Sequence, residues 1–211
     1  MGREVRVLAV TVLAVLACWA AWVRLSLSLP YPELNRQVIR QAILLAPAIW
    51  YVRRVERRPL LRALRLRSGF RVGLAWGLGA ALVLPGLWIL ARGAAGGLRA
   101  RIPDDPATLL GTVVVAPLAE EVFFRGVLFR RLLRPLGVAS AAIVSAAAFA
   151  ALHVPWFVLS GTMGREQVAM QTGTIFVYGL AFAASMRASG TLWAPLTHHA
   201  INNLALSFVA P

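Results

Sequence analysis

Two adjacent carboxylates, Glu120 and Glu121, lie inside the apolar run 109–129, the only acids of the chain's eight to interrupt a long apolar segment. Burying an ionised carboxylate in hydrocarbon is strongly unfavourable unless something compensates it. Arg125 supplies part of the compensation. On a helix, residues four apart share a face, so Glu121 and Arg125 are placed to form an ion pair, while Glu120 points about 100° away. The spacing therefore predicts a structural Glu121–Arg125 pair and leaves Glu120 without a local partner. All three histidines, His153, His198 and His199, fall in apolar segments of the same half. A carboxylate and an imidazole together can take a proton from water, which is the chemistry of hydrolysis. Pro117, three residues before Glu120, is expected to loosen the backbone and admit that water.

The last apolar segment carries His198-His-Ala-Ile-Asn-Asn203, which offers two i, i+4 pairs, His198 with Asn202 and His199 with Asn203. Either pair sets an imidazole beside an amide, both able to donate hydrogen bonds to a developing oxyanion. Only one pair can face the centre of a bundle, and spacing alone does not choose between them. Histidine and asparagine also serve as hydrogen-bonding ties between membrane helices. Beside Glu120 and His153 the site reading is preferred. No Gly-x-Ser-x-Gly elbow occurs, and the single cysteine, Cys18, sits in the first apolar run far from the histidines, so serine and cysteine nucleophiles are not expected.

These residues must be held by membrane-spanning helices. The chain is 59% apolar and 14% charged with a mean hydropathy of +0.72, far more apolar than a soluble domain of 211 residues. The expected fold is an all-α, polytopic helical membrane bundle of about seven spans, with six to eight compatible. The spans are placed at 7–29, 38–52, 72–91, 107–129, 138–154, 173–187 and 191–209. The chain is read as one membrane domain, 1–211. Within it, 1–91 forms peripheral N-terminal helices with almost no polar residues at mid-membrane, and 107–209 forms a four-helix catalytic core. Counting residues from these boundaries puts Glu120 and His199 nearer one face and His153 nearer the other, a mismatch in depth that the fold must resolve.

The net charge of +14 comes wholly from arginine. The arginines gather between apolar runs rather than on a soluble basic surface, so a nucleic-acid partner is not expected; membrane lipid is. Arg53, Arg54, Arg57, Arg58, Arg62, Arg65, Arg67 and Arg71 against the lone Glu56 mark a cytoplasmic loop, and the N-terminus with Arg3 and Arg6 falls on the same side. Leucines interleave with these arginines, so an amphipathic surface helix is one reading and a solvated linker the other. The patch Arg92-Gly-Ala-Ala-Gly-Gly before Pro103 and Pro106 reads as a flexible connection, and Asp104 and Asp105 are expected outside.

In order and spacing, Glu120-Glu-Val-Phe-Phe-Arg125, Phe149-Ala-Ala-Leu-His153 and His199-Ala-Ile-Asn-Asn203 resemble the CPBP family, which groups CAAX prenyl proteases with bacteriocin-processing and immunity proteins. The resemblance covers the last four spans. It implies an intramembrane endopeptidase of glutamate type in which Glu120 and His153 activate water and His199 and Asn203 hold the oxyanion. Glu121, Arg125 and Phe149 match supporting positions. The resemblance selects His199 and Asn203 over His198 and Asn202. No cofactor is expected; zinc on Glu120, His153 and His199 is the alternative, weakened because His-Glu-x-x-His is absent and an asparagine is a poor zinc ligand. The arginine- and alanine-rich, lysine-free composition suggests a GC-rich bacterial genome. The expected substrate is therefore a membrane-associated bacterial protein or peptide, and the expected location the bacterial inner membrane. Two rival functions are an immunity or partner-binding membrane protein and an ion or proton transporter.

Overall fold

The computed structural model describes residues 2–29, 33–94, 99–100 and 105–210. Of the connection expected over 92–97, residues 92–94 belong to a helix that ends at Ala94, and the remainder, with Pro103 and Asp104, lies outside the described residues. What is described is almost entirely helical, apart from a two-residue antiparallel pairing of Arg99–Ala100 with Val209–Ala210. Helix α1 covers Arg3–Ser28. Helix α2, Glu33–Trp50, continues through a wide π-type turn, Tyr51–Val55. Between that turn and α4, Phe70–Ala94, the helix is a single turn, α3, Leu60–Ala63, so Arg53, Arg54 and Arg71 of the arginine-rich loop lie in the helices that flank it.

From Pro106 to Leu159 the chain is helical except at Gly137, where φ is +74°. That backbone conformation suits glycine, and it folds the run into two antiparallel helices, α5 (106–136) and α6 (138–159). Helices α7, Arg165–Ser189, and α8, Trp193–Phe208, complete the bundle. Seven long helices result among the described residues, as the sequence predicts. Four helical stretches meet length and apolarity criteria for crossing a membrane: α1, the first part of α4, the continuous 106–159 run and α7.

Lipid solvates leucine as well as a protein core does, so close backbone approach has to bind these helices together. Gly73 and Gly77, one turn apart on α4, face α8. A Cβ built at Gly77 would lie 2.5 Å from Thr197 Cβ, and one at Gly73 would lie 2.4 Å from Trp193 Cβ. Any side chain there forces the helices apart. Gly77→Leu should destabilise the protein by about 1–3 kcal/mol through this overpacking. Thermal unfolding in detergent reads the effect, and an unchanged midpoint would show that α4 does not pack on α8 this way.

At the other end of α5, Arg130 and Arg131 both engage Glu56, whose side chain is fully buried. Arg130 Nε also donates to Gly126 O at 2.7 Å. Partly neutralised in this way, the arginines continue the helix to residue 136. The predicted span ended at 129 because the arginines read as loop. Asp105 caps the start of α5, accepting from the N–H groups of Ala107 and Thr108 at 3.0 Å each. Hydrogen bonds from the Thr108 hydroxyl and these amides hold its carboxyl below the ordinary range.

Candidate active site

The extended α5 removes the depth mismatch. Glu120 lies seventeen residues before Gly137 and His153 sixteen after it, so both sit at the same height above the turn. Two contacts fix this register: Ser145 Oγ donates to Phe124 O at 3.0 Å, and the Phe124 and Phe149 rings meet edge to face at 5.3 Å. One turn further along each helix come Glu120 and His153, and both Glu120 and His199 lie within electrostatic reach of His153.

Glu121 and Arg125 form the predicted pair, Oε1 to Nη1 at 3.0 Å, with both side chains fully buried. Arg125 Nη2 donates to Gly179 O at 2.9 Å, which ties α5 to α7. The guanidinium lies over the Phe149 ring at 4.5 Å and the Phe182 ring at 5.2 Å, with Phe124 at 5.9 Å. Aromatic faces thus replace water around the charge.

The spacing argument treats this pair as self-contained, and the structure extends it. Glu121 Oε1 also takes His199 Nδ1 at 2.9 Å. Because that oxygen already accepts from Arg125, it acts as an acceptor for both, which assigns the proton to His199 Nδ1. The opposite ring nitrogen, Nε2, then faces Glu120 Oε2 at 3.8 Å. Stacking on Phe182, with centroids 4.6 Å apart and planes 19° apart, holds the imidazole in that plane. Glu121 therefore orients His199 toward Glu120 in the way carboxylates orient histidine ligands and bases elsewhere.

His198 points elsewhere. It is fully buried, its Nδ1 lies 3.3 Å from Ser185 Oγ on α7, and its ring meets Phe182 edge on at 4.8 Å. The helical rotation between the two histidines leaves His199 with the carboxylates, as the resemblance implies, and uses His198 to pack α8 on α7.

His153 Nδ1 lies 2.9 Å from Phe149 O. A carbonyl only accepts, so Nδ1 carries the proton and Nε2 is left as a proton acceptor. Phe149, 2% exposed, lies between the two imidazoles, 5.0 Å from the His153 ring and 5.8 Å from the His199 ring.

Asn203 is tied to α5. Residues Gly111–Val115 form a π-type turn, and Ala116 N–H bonds Gly111 O. The next bond in that register would run from residue 117 to Thr112 O, but residue 117 is proline and has no N–H. Asn203 Nδ2 supplies the missing donor at 3.0 Å. Its second amide hydrogen is not used in this bond. Pro117 thus acts through an orphaned carbonyl that Asn203 caps, in addition to the loosened backbone expected of it. Asn202 Nδ2 lies 3.4 Å from Asn203 Oδ1.

Sequence reasoning passed over Phe182, Gly179, Thr112 and Ser145. The one available signal was Gly179: a Cβ there would lie 2.9 Å from Ala146 Cβ, and such small residues mark the close helix contact that lets Arg125 reach a backbone carbonyl. It also passed over Arg40 and the buried Gln41 on α2, polar residues in the half expected to carry almost none.

Fold and cluster together define a polytopic helical membrane protein in which two carboxylates, a guanidinium and the His199 imidazole meet in a buried centre, while His153 and Asn203, partly buried, bond Phe149 O and Thr112 O. Residues 103–205 match the family described as type II CAAX prenyl endopeptidase, Rce1-like, and this match supports the resemblance to the CPBP family. No curated protein and no solved structure matches the chain. The match supports a protease-type enzyme acting on membrane-associated substrates. Among the described residues, no three His, Cys, Asp or Glu side chains are grouped as the ligands of a metal ion would be.

Proposed function

We propose that the protein hydrolyses a peptide bond of a membrane-associated protein or peptide, using a water activated by Glu120 and His153. The observation that carries this reading is the meeting of Glu120, Glu121, Arg125 and His199 in one buried cluster, with His153 at the same height on the neighbouring helix. A carboxylate at Glu120 and an unprotonated Nε2 at His153 are both acceptors. One water donates a hydrogen to each and keeps a lone pair for the carbonyl carbon. As the carbon–oxygen bond forms, the water's proton passes to this pair. It then goes to the amide nitrogen as the carbon–nitrogen bond breaks, leaving a new amine and a new carboxylic acid, which ionises by releasing the water's other proton to solvent.

The oxyanion needs donors. Asn203 offers its second amide hydrogen, and His199 offers Nε2–H when it carries both ring protons. In that form Glu120, Glu121, Arg125 and His199 sum to zero charge, the arrangement hydrocarbon favours most. We place the arginine-rich 53–71 loop and the N-terminus on the cytoplasmic side of a bacterial inner membrane, following the excess of positive charge there.

The reaction is written without a metal, and a direct test exists. Protein purified without added zinc should cleave with far less than one equivalent of bound metal and should keep its rate in a chelator. Stoichiometric zinc that is required for activity would overturn the metal-free mechanism.

A further inference from the structure

At the arginine-rich end of the bundle three chain reversals come together: the loop around α3, the Gly137 turn between α5 and α6, and the Gly190 turn between α7 and α8. A cavity of about 460 Å³ opens among them. Its polar wall is arginine from three separate elements, Arg65 of the loop, Arg130 of α5 and Arg187 of α7, and its other wall is apolar, with Phe129, Leu133 and Met186. A second cavity of about 470 Å³ shares Arg65 and Gly190 with the first and adds Arg62 and Arg67. Among the described residues no carboxylate lines either cavity. Glu56 answers Arg130, but among the described residues no carboxylate pairs with Arg62, Arg65, Arg67 or Arg187. Arg65 also takes φ +56°, a left-handed conformation that ordinarily falls to glycine or asparagine. It is held there because Arg65 O accepts from Thr191 Oγ1 at 2.9 Å and from Leu192 N–H at 3.4 Å. Its Nη1 donates to Gly190 O at 3.2 Å, an ordinary helix C-cap contact, and the rest of the fork has no acceptor among the described residues. Like charges gathered in this way repel one another unless an anion joins them.

We propose that the first cavity binds the headgroup phosphate of an anionic phospholipid. The two free oxygens of the phosphodiester accept from Arg65 and Arg187, whose planar forks match them. The acyl chains lie on the apolar wall and continue past Val138, which lines the cavity and is exposed at the start of α6. A basic wall facing an apolar one favours an amphiphile over a soluble phosphate, and basic pockets between membrane helices suit such headgroups. A headgroup held there ties the end of α5 to the end of α7. Those two helices also carry the buried link from Glu121 through Arg125 to Gly179 O, so the lipid clamps them at a second level. The site is separate from the catalytic scheme and does not rest on it.

Native mass spectrometry of the full chain, released from neutral detergent micelles, counts the lipids bound to it. Phosphatidylglycerol is compared with phosphatidylcholine, which has the same phosphodiester but carries its own cation. The medium is about 0.2 M ammonium acetate, in which exposed charges beyond roughly 8 Å are largely screened. Phosphatidylglycerol should bind about tenfold or more tightly. Arg65→Gln combined with Arg187→Gln should remove that preference. Arg53→Gln combined with Arg54→Gln takes the same charge from the neighbouring helical turn, outside both cavities, and should leave the preference intact.

Equal binding of the two lipids would overturn the proposal. So would a preference lost to the same degree in both double variants, the mark of diffuse attraction to a basic surface. Displacement of phosphatidylglycerol by millimolar inorganic phosphate would also overturn it and give the site to a soluble anion. Arg187 is exposed and bonds nothing among the described residues, so Arg187→Gln alone repeats the test without touching the loop that Arg65 helps to hold. It should weaken phosphatidylglycerol severalfold, and unchanged binding in this variant would contradict the assignment.

Discussion

Glu120→Gln should lower the cleavage rate by about 10²- to 10⁴-fold, the range expected when a positioned general base is removed. The amide keeps the shape and hydrogen-bonding reach of the carboxylate but cannot accept a proton. His153→Ala should fall into the same range, since it removes the acceptor of the water's second hydrogen. Neither change should unfold the protein. Glu120 forms no pair with Arg125, which bonds Glu121 and Gly179 instead, and it lies 3.8 Å from His199 Nε2. Thermal unfolding alongside the assay separates lost chemistry from lost structure. Full activity in Glu120→Gln would reject the mechanism.

Arg125→Leu should destabilise the protein by about 3–5 kcal/mol, the range for breaking a buried ion pair from one side. Arg125 is fully buried. Its loss leaves Glu121 charged with only His199 to answer it, orphans Gly179 O, and empties the space between Phe149, Phe182 and Phe124. Lysine is a poor substitute, because one ammonium cannot reproduce a planar fork that reaches Glu121 and Gly179 together. Combining Arg125→Leu with Glu121→Gln should restore part of the stability by removing the stranded charge. Unfolding of all three variants in detergent measures this. A single Arg125→Leu variant as stable as the unsubstituted protein would show that the pair holds nothing together.

The helical membrane fold was legible because a chain this apolar has few alternatives, and the site was legible because acids and imidazoles in apolar runs stand out. Boundaries were less legible. Arginines ended the predicted fourth span at 129, yet Glu56 partly neutralises two of them and the helix runs on to 136. That one error produced the whole mismatch in depth between Glu120 and His153. The choice between His198 and His199 rested on family resemblance, since helical spacing makes the two pairs equivalent. Only packing against Phe182 and Ser185 separates them in space. Glu121's second partner was invisible for another reason: a contact between residues 78 positions apart has no local pattern. Asn203's bond to Thr112 needed both the π-type turn and the missing proline N–H, of which the sequence displays only the proline.

The most direct test compares N- and C-terminal peptides of the membrane proteome from cells carrying the unsubstituted protein with those from cells carrying Glu120→Gln at equal abundance. Peptide-bond hydrolysis at this site predicts a matched pair of new termini, from a membrane-associated protein or peptide, present only with the unsubstituted protein. Identical termini in the two membranes, with any cellular phenotype of the protein preserved in Glu120→Gln, would contradict it and point to a binding role for the same cluster.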